Sequence, residues 1–331
     1  RLTDAPSFES QAEIRYRGNS SRHFSKKSYA VTFTESDRLT NKEIDVLGMG
    51  ADEDWILNGP FLDKTMVRNY LSFNIFGQFM PFVPEVRFCE LFVNGEYQGL
   101  HLLMESVKVS EERVDLSPPS HNSVATSYLL RKDWANADDD DVVDDLLGAM
   151  RKEPNTNLTI VYPTESVVTA DMEQWIRSDF NSFEKSLYSY DYDTAEYGYK
   201  TYIDVQSFVD YAIVNEFSLN TDAGKYSTYY YRDIRGKICI GPIWDYNNAY
   251  NNYFEDDLSD SGFFMPSKPL YFMLFKDEHF VNETISRYRE LRSTYLSDES
   301  LLSYIDETIA YLGPAIERNN AVWGYAFDPS L

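Results

Sequence analysis

Hydrophobic and polar residues alternate with a period of two through much of the N-terminal third, a pattern typical of β-strands with one buried face. Residues 12–33 predict two such strands, joined by a polar stretch at residues 18–27. Residues 85–105 predict a hairpin, because Asn94-Gly95 favours the tight turn that joins antiparallel strands. The N-terminal part of the chain is therefore expected to be mostly antiparallel β-sheet.

Apolar residues recur at intervals of three and four in four other segments, as they do along one face of an amphipathic helix. The predicted helices, the first two capped by an aspartate, run from Asp63 to about Phe79, from Asp204 to about Leu219, and over about residues 277–295 and 298–318. Residues 227–232 and 237–240 predict two short strands. We therefore expect a single domain with an α+β fold, β-rich at about residues 1–125 and mostly helical at about residues 126–331.

Composition narrows the possible partners. The 331 residues hold 54 Asp+Glu against 30 Lys+Arg, so the formal net charge is -24. A chain this acidic repels a phosphate backbone, so nucleic acid is not expected as a partner. No window approaches the run of about 18 apolar residues that a membrane span needs. The chain begins at Arg1 without a signal sequence, and any targeting segment is expected to lie outside it.

A cluster of positive charge interrupts this acidity near the start of the chain. Residues 13–27 contain one acid and five basic residues, which are Arg15, Arg17, Arg22, Lys26 and Lys27. The turn between the two strands also carries Ser20 and Ser21, and hydroxyl groups and free backbone amides can donate to phosphate oxygens. Alternation places Lys27 on the apolar face of the second strand, where a lysine needs a carboxylate or a phosphate partner. An anion site and a solvated hairpin whose lysines pair with surface acids both remain open on these residues alone.

Two aspartates in the second half follow a layout that protein kinases use. Asp222 comes directly after a predicted helix, and Asp245 comes later, after the two short strands. In kinases such a pair supplies the carboxylate that orients or deprotonates the attacking hydroxyl and the carboxylate that binds a divalent metal. Either aspartate alone would equally suit a turn, so it is the pair, together with the basic cluster, that indicates phosphoryl transfer.

Other constellations give weaker signals. Residues 138–145 hold six aspartates, but they lack the glycine and the closing glutamate of an EF-hand, so a solvated acidic segment is expected rather than a calcium site. The four histidines have no metal-ligand spacing, and the sequence contains neither a Walker loop nor a Gly-x-Ser-x-Gly elbow. The many aromatic residues could form a sugar-binding platform, although regularly spaced aromatic residues more often belong to a core.

Six blocks of the sequence, spread over about residues 14–250, form an ordered pattern. They are Arg17-Gly-Asn-Ser-Ser-Arg-His-Phe-Ser-Lys-Lys-Ser-Tyr29, Asp54-Trp-Ile-Leu-Asn58, Asp63-Lys-Thr-Met-Val-Arg-Asn69, Glu90–Gly99 with Leu102–Glu105, Asn215–Asp233, and Gly241-Pro-Ile-Trp-Asp245. Taken together, these blocks resemble the CotH kinase family, which is named for spore-coat protein H. One block alone would be a weak signal, whereas the ordered set is specific.

The resemblance implies an atypical protein kinase, secreted or associated with a cell surface or coat, with a two-lobed kinase-like fold. It implies ATP and a divalent metal, Mg²⁺ or Mn²⁺, and a protein substrate that offers a Ser or Thr hydroxyl. Lys26 or Lys27 would hold the nucleotide phosphates, with Glu105 paired to that lysine. The other phosphate-binding positions that it implies are Arg17, Ser20, Ser21 and Arg22.

The resemblance also assigns the two aspartates. Asp222 would be the catalytic aspartate, as a base or as a metal ligand, and Asp245 would bind the metal together with Asn247. The sequence departs from the family pattern at two positions and from ordinary kinases at a third. Ser25 replaces a proline, Asn247 replaces a frequent second acid, and Ser227 stands where ordinary kinases place a metal-binding asparagine. An amide oxygen ligates magnesium more weakly than a carboxylate does, which argues against a two-metal site.

Two other functions remain as alternatives to the kinase. A catalytically silent binding module on the same fold would join a surface or extracellular assembly, with partner modules outside this chain. A glycoside hydrolase would use two carboxylates and the aromatic residues, but it has no use for the basic cluster. The kinase is favoured because it uses the basic cluster, the two aspartates and the family pattern together.

Overall fold

A computed structural model describes residues 6–120, 123–135, 142–143, 156–252 and 261–327. The six aspartates of residues 138–145 lie outside the described residues. The strands are β1 (Gln11–Arg17), β2 (Ser28–Thr34), β3 (Ile44–Asp45), β4 (Ala51–Asp52), β5 (Asp54–Asn58), β6 (Val86–Val93), β7 (Glu96–Glu105), β8 (Tyr128–Trp134), β9 (Val142–Val143), β10 (Thr156–Tyr162), β11 (Thr228–Arg232) and β12 (Cys239–Ile240).

Helices make up the other regular structure. They are α1 (Arg68–Phe76), α2 (Ala170–Leu187), α3 (Val205–Ser218), α4 (Tyr271–Leu274), α5 (Glu278–Arg292), α6 (Asp298–Leu312) and α7 (Pro314–Trp323). Within the described ranges, none of these helices is long and apolar enough to cross a lipid bilayer. The predicted α+β class is confirmed, because antiparallel sheets and helices occur together.

Local sequence signals explain where several elements begin and end. β1 and β2 are the two strands predicted at residues 12–33, and β6 and β7 are the predicted hairpin. The Asp204 side chain accepts a hydrogen bond from Ser207 N and so caps α3 as predicted. Gly313, at a positive φ of 45°, separates α6 from α7, so the last predicted helix is two helices.

The start of α1 differs from the prediction. Asp63 was the expected N-cap, but the helix begins at Arg68. The Asp63 carboxylate accepts hydrogen bonds from Thr65 N at 3.1 Å and from Arg68 N at 2.9 Å. A carboxylate that binds these two amides closes a turn before the helix begins, which moves its start by about one turn.

The first of two compact units comprises the described residues up to Asn74, Pro84–Ser106, and those from Ile305 onward. Its five-stranded sheet is antiparallel throughout, in the order β1-β2-β5-β7-β6. α7 packs against β7, where Asn319 Oδ1 accepts a hydrogen bond from Leu100 N at 3.1 Å. Trp323 Nε1 donates to Gln98 O at 2.8 Å on the same strand. These bonds fix the C-terminal helix on the central part of the sheet.

The second unit comprises the described residues of Ile75–Val83 and Val107–Tyr304. Its five-stranded sheet is also antiparallel, in the order β12-β11-β8-β10-β9. α2 packs on this sheet through Phe180, whose ring lies 5.2 Å from that of Tyr230. α3 is joined to α5 by Arg287 Nε, which donates to Asp210 Oδ1 at 2.8 Å. α3 is buried along most of its length and carries the loop described below.

The two units do not follow chain order. Residues 75–83 belong to the second unit although their neighbours in sequence belong to the first, and the residues from 305 onward return to the first unit. The prediction of one domain over residues 1–331, with its parts meeting near residue 125, stays a prediction.

Candidate active site

A tightly closed loop follows α3 and carries Asp222. Leu219 ends the helix in the left-handed conformation, with φ of 49°. Within the loop, Lys225 N and Tyr226 N both donate to Asp222 O, at 3.0 and 2.9 Å. The backbone at Asp222 is therefore fixed by the turn itself, which leaves the carboxylate at a defined position.

A buried amide connects this loop to the segment that carries Asp245. Asn215, fully buried on α3, donates from Nδ2 to Tyr211 O at 2.8 Å. Its Oδ1 accepts from Asn220 Nδ2 at 3.1 Å and from Tyr246 OH at 2.9 Å. Because Asn220 lies in the Asp222 loop and Tyr246 follows Asp245, one side chain holds both segments. Satisfied buried networks of this kind fix a single local geometry.

The Asp222 carboxylate lies among charges of both signs. Burial raises its pKa above the ordinary aspartate value, and the charge of Asp133 on β8 acts in the same direction. The charges of Lys268 and Lys225 oppose this rise, as does a hydrogen bond from Asn248 Nδ2, 3.5 Å from Asp222 Oδ2. The arrangement therefore combines partial desolvation with two nearby cations.

Asp245 occupies an unusual backbone position. Its φ is 61°, in the left-handed region that non-glycine residues rarely adopt. The residues on both sides fix this conformation, because Tyr246 is buried and Trp244 packs against the cluster that includes Leu129. Strained positions of this kind persist where the surrounding structure holds them, and they concentrate at functional sites.

Two asparagines extend the site from Asp245 back to Asp222. Asn247 Nδ2 donates to Asn248 Oδ1 at 3.1 Å, and Asn248 in turn contacts Asp222. Asn252 Nδ2 donates to Asn247 O at 2.7 Å and fixes that backbone. The second unit thus links the predicted residues Asp222 and Asn247 through Asn248. Their carboxylate and amide oxygens, together with the Asp245 carboxylate, are donors that suit a hard divalent cation.

The predicted phosphate-binding residues belong to the first unit, where Lys26 is the buried lysine of the basic cluster. Its side chain is 2% exposed, and Nζ donates to Asn319 Oδ1 at 2.8 Å. Burial lowers the pKa of Lys26 to about 7, although the charge of Asp63 opposes the change. Lys26 lines a small pocket with Pro60, Phe61, Asp63, Lys64, Met66, Asn319, Trp323 and Ala326.

Lys27 has the more open position of the two lysines. Its Nζ donates to Arg22 O at 2.7 Å and lies 5.6 Å from the centre of the Tyr16 ring. Tyr16 pairs with Tyr29, so Lys27 lies on the predicted strand face. The expectation that this face would bury the lysine is wrong, because Tyr16 is 58% exposed at this end of the sheet. The opposite side is covered by α7, and Lys26 is buried there.

The rest of the basic cluster forms a short turn. Ser20–His23 is a 3-10 turn, in which Ser21 Oγ donates to Arg17 O at 3.3 Å. Arg22 is exposed, and the Ser20 side chain lies outside what the structure describes. The turn therefore presents the Arg22 guanidinium group at the surface, and the Lys27 ammonium group is bound to the backbone carbonyl of the same residue.

Glu105 does not pair with either lysine in the described residues. Its Oε2 accepts a hydrogen bond from Glu85 N at 2.7 Å. The strand register explains this difference, because Lys27 O lies beside His101 Nε2 at 3.1 Å. Glu105 is four residues further along β7, about 13 Å away at the usual rise of a strand. The predicted ion pair with Glu105 is therefore replaced by the bond from Lys26 to Asn319.

Sequence reasoning missed three residues that the structure places at these sites. Asn248 adjoins a predicted ligand, so a signal for it was present in the repeated asparagine. Lys268 and Asn319 lie far along the chain from the residues that they contact, and no motif spacing indicated them. Such contacts depend on the fold rather than on local pattern.

Known proteins were compared with the complete chain. The sequence matches the family described as CotH kinase protein over residues 14–328. It is also similar to the inner spore coat protein H of Bacillus subtilis (strain 168), with 27% identity over 164 residues. That match covers 48% of this chain and 38% of the relative, so it spans well under half the length of the relative. Because the family match covers nearly all of the sequence, the chain belongs to the CotH kinase protein family.

Proposed function

We propose that this protein is an atypical protein kinase, with a two-lobed kinase-like fold, that transfers the γ-phosphoryl group of ATP to a Ser or Thr hydroxyl of another protein. The observation that carries this proposal is the arrangement around Asn215, which joins the Asp222 loop to the segment of Asp245. Two aspartates on segments that one buried network fixes are what phosphoryl transfer requires. Membership of the CotH family supports the same conclusion.

Asp222 is the proposed catalytic residue. Transfer forms a bond between the acceptor hydroxyl oxygen and the γ-phosphorus and breaks the bond from that phosphorus to the β–γ bridging oxygen, which leaves with ADP. Asp222 orients the acceptor hydroxyl and takes its proton. Burial raises the pKa of Asp222, and a higher pKa makes a carboxylate a better proton acceptor.

Asp245 and Asn247 are the proposed metal-binding residues, and Asp222 would be a further oxygen donor only in the alternative in which it serves as a metal ligand rather than as the base. All-oxygen donor sets suit Mg²⁺ or Mn²⁺. A bound divalent cation would neutralise the charge of the nucleotide phosphates. The left-handed backbone at Asp245 and the bond from Asn252 to the Asn247 carbonyl hold these two donors in place.

The basic cluster is proposed to bind the nucleotide phosphates. The residues assigned to this role are Arg17, Ser20, Ser21, Arg22, Lys26 and Lys27. Lys27 is favoured over Lys26 as the direct phosphate ligand, because Lys26 is 2% exposed and already bound to Asn319. Under this proposal Lys26 anchors the end of the turn to α7 through its bond to Asn319, and Glu105 has no role in phosphate binding.

The setting of the activity is proposed from the relative. The name of that relative, inner spore coat protein H, assigns it to the inner spore coat. We extend this setting to the present chain and propose a secreted, surface or coat-associated kinase that modifies Ser-bearing proteins of the same assembly. Partners in such an assembly would bind through modules outside this chain, and nucleic acid is not among the proposed partners.

One observation favours a second candidate, a catalytically silent binding module on the same fold. The buried lysine of the basic cluster is held by Asn319 rather than presented toward solvent. Under this alternative the lysine serves only to fix α7 on the sheet, and the protein recognises an assembly partner without binding ATP or turning it over.

Nucleotide binding separates the two candidates. The melting temperature of the purified protein is measured with ATP, with Mg²⁺ or Mn²⁺, and with both. The kinase proposal predicts that the melting temperature rises only when ATP and the metal are present together, because a ligand that binds only the folded state stabilises that state. The melting temperature of an Asp193→Asn control should rise by the same amount, because Asp193 is exposed. An identical melting temperature under all conditions would favour the silent binding module.

A further inference from the structure

The segment after Phe263 is fastened to the end of α3 by Glu216. Glu216 Oε1 accepts a hydrogen bond from Phe264 N at 2.9 Å, and Oε2 accepts one from Met265 N at 2.7 Å. Both carboxylate oxygens are thus committed to the backbone of a segment that is distant in sequence. Hydrogen bonds from amides to an ionised carboxylate are about twice as strong as neutral ones. Glu216 therefore fixes where this segment begins.

The same segment places Lys268 beside the loop that carries the proposed catalytic aspartate. A 3-10 turn at Met265–Ser267 leads directly to Lys268. The ammonium Nζ of Lys268 donates to Thr221 O at 2.7 Å and lies 4.0 Å from the centre of the Phe264 ring. Thr221 immediately precedes Asp222, so this bond fixes the peptide group that leads into the carboxylate-bearing residue.

The same segment also lies beside the other side of the loop. Gly224 has φ of 75°, and a Cβ built on it would lie 3.7 Å from both Lys268 Cβ and Pro269 Cδ. The segment is therefore hydrogen-bonded to the loop at Thr221, before Asp222, and lies beside the loop at Gly224, after Asp222. Met265 and Leu270 are buried at the two ends of that segment, which anchors it in the core.

We propose that Glu216 and Lys268 form a clasp that holds the Asp222 loop in the geometry needed for phosphoryl transfer, with Lys268 as a positioning residue. This inference rests on the proposed kinase function, because it assigns the clasp a role in the same site. A displacement of about 1 Å at a reacting group can lower a rate by about a hundredfold. A cation that is bound to the carbonyl before Asp222 is well placed to prevent such a displacement.

The clasp holds the backbone of the loop in place, so its loss can be detected by amide hydrogen exchange as well as by activity. The amides of Lys225 and Tyr226 donate to Asp222 O, so they report whether the loop stays closed. Opening of the loop exposes these amides to solvent and speeds their hydrogen exchange. Loss of the clasp should therefore speed exchange at these two amides, whether or not ATP is turned over.

The experiment compares Lys268→Met, Lys268→Arg and Glu216→Gln with a matched control, Lys276→Met. Lys276 is an exposed lysine in the same region, and its Nζ lies 5.3 Å from the centre of the Phe272 ring. Three quantities are measured in each variant of the 331-residue protein. They are amide exchange at residues 221–226 and the kcat and KM for ATP in metal-dependent phosphoryl transfer.

The inference predicts that Lys268→Met speeds exchange at Lys225 and Tyr226 and lowers kcat by about tenfold or more, with KM for ATP changed less than about twofold. Lys268→Arg should restore part of kcat, because a guanidinium group can also donate to Thr221 O. Glu216→Gln should act in the same direction as Lys268→Met. The control Lys276→Met should match the wild type in both measurements.

Two outcomes would overturn the inference. If Lys268→Met matches the control in exchange and in kcat, no clasp exists. If Lys268→Met speeds exchange but leaves kcat unchanged in an active wild type, the clasp is structural only. A wild type that transfers no phosphoryl group with any metal would instead contradict the proposed function, while the exchange comparison would still decide whether Lys268 holds the loop.

Discussion

The ammonium group of Lys26 is buried in the interior of the first unit. Its partner is the neutral amide of Asn319, and a buried cation without a bound carboxylate is costly. Burial accordingly lowers the pKa of Lys26 to about 7, although Asp63 lies near enough to oppose the change. The protonation of this one residue therefore couples the stability of the fold to pH.

The sign of that coupling gives a prediction. The pKa of lysine in an unfolded chain is about 10.4, so between pH 7 and that value the unfolded state binds more protons and stability rises with pH. Urea unfolding at pH 7, 8 and 9 should show the wild type gaining up to about 1.4 kcal/mol per pH unit from this group. Lys26→Met should lose this gain, and the control Lys27→Met should keep it. An equal slope in the wild type and in Lys26→Met would contradict the account.

Asp245 gives a prediction about the metal. Asp245→Asn removes a charge from the proposed metal ligand and keeps the side-chain size. Because amide oxygen is the weaker ligand for a hard cation, the rise in melting temperature with ATP and Mg²⁺ or Mn²⁺ should fall by more than half, while the melting temperature without ligand stays the same. The control is Asp193→Asn. A full rise in Asp245→Asn would exclude this residue as a metal ligand.

Single residues differ in how far the sequence predicted them. Asp222 and Asp245 were indicated because their spacing and the caps around them are local features. Alternation is also a local feature and placed Lys27 on the face of Tyr16 and Tyr29, but it did not indicate that this face is exposed at that end of the sheet. The burial of Lys26 was not, because it depends on α7, which lies almost at the other end of the chain. No pattern near Lys26 carries that information.

The docking of α7 on β7 depends on a glycine. Gly99 has φ of 87°, and a Cβ at this position would lie 2.6 Å from Asn319 Oδ1 and 2.7 Å from Trp323 Cδ1. Contacts this short require the Asn319 and Trp323 side chains, or the helix that carries them, to move. Gly99 therefore allows Asn319 to reach both Lys26 and the backbone of Leu100.

Gly99→Ala should destabilise the first unit by more than a matched glycine substitution does. The control is Gly95→Ala, which has φ of 84° but no atom within 4 Å of the added Cβ. Both variants carry the strain of a positive φ, so their difference isolates the clash with α7. Overpacking of this kind costs about 1–3 kcal/mol, measurable by urea unfolding. Equal losses in the two variants would show that α7 is not held at this point.

The elements of the second unit show why some of the fold could not be predicted. β8 has the sequence Tyr-Leu-Leu-Arg-Lys-Asp-Trp, in which Leu129 and Leu130 are both buried, so it lacks the alternation that identified β1 and β2. It pairs with β10 and β11, and the latter lies about a hundred residues away. The Asn94-Gly95 hairpin and the Asp204 cap were predicted because a few adjacent residues determine them.

The complete chain combines a net charge of -24 with a basic turn in one unit and two aspartates in the other. From this composition we expect no nucleic-acid partner. The ordered sequence blocks indicated the family that the comparison confirmed. The claim that goes beyond composition and family membership is that the protein turns over ATP. The central claim is therefore catalytic, and it is tested on the intact protein.

The most direct test is the intact mass of the purified protein after incubation with ATP and Mg²⁺ or Mn²⁺, beside an Asp222→Ala variant. The account predicts that the wild type, offered only its own Ser and Thr hydroxyl groups as acceptors, gains mass in steps of about 80 Da, one phosphoryl group each. The variant should show no gain while keeping the wild-type melting temperature within a few degrees. Equal gains in both proteins would contradict the role of Asp222. No gain in the wild type, together with no stabilisation by ATP and metal, would contradict the kinase itself.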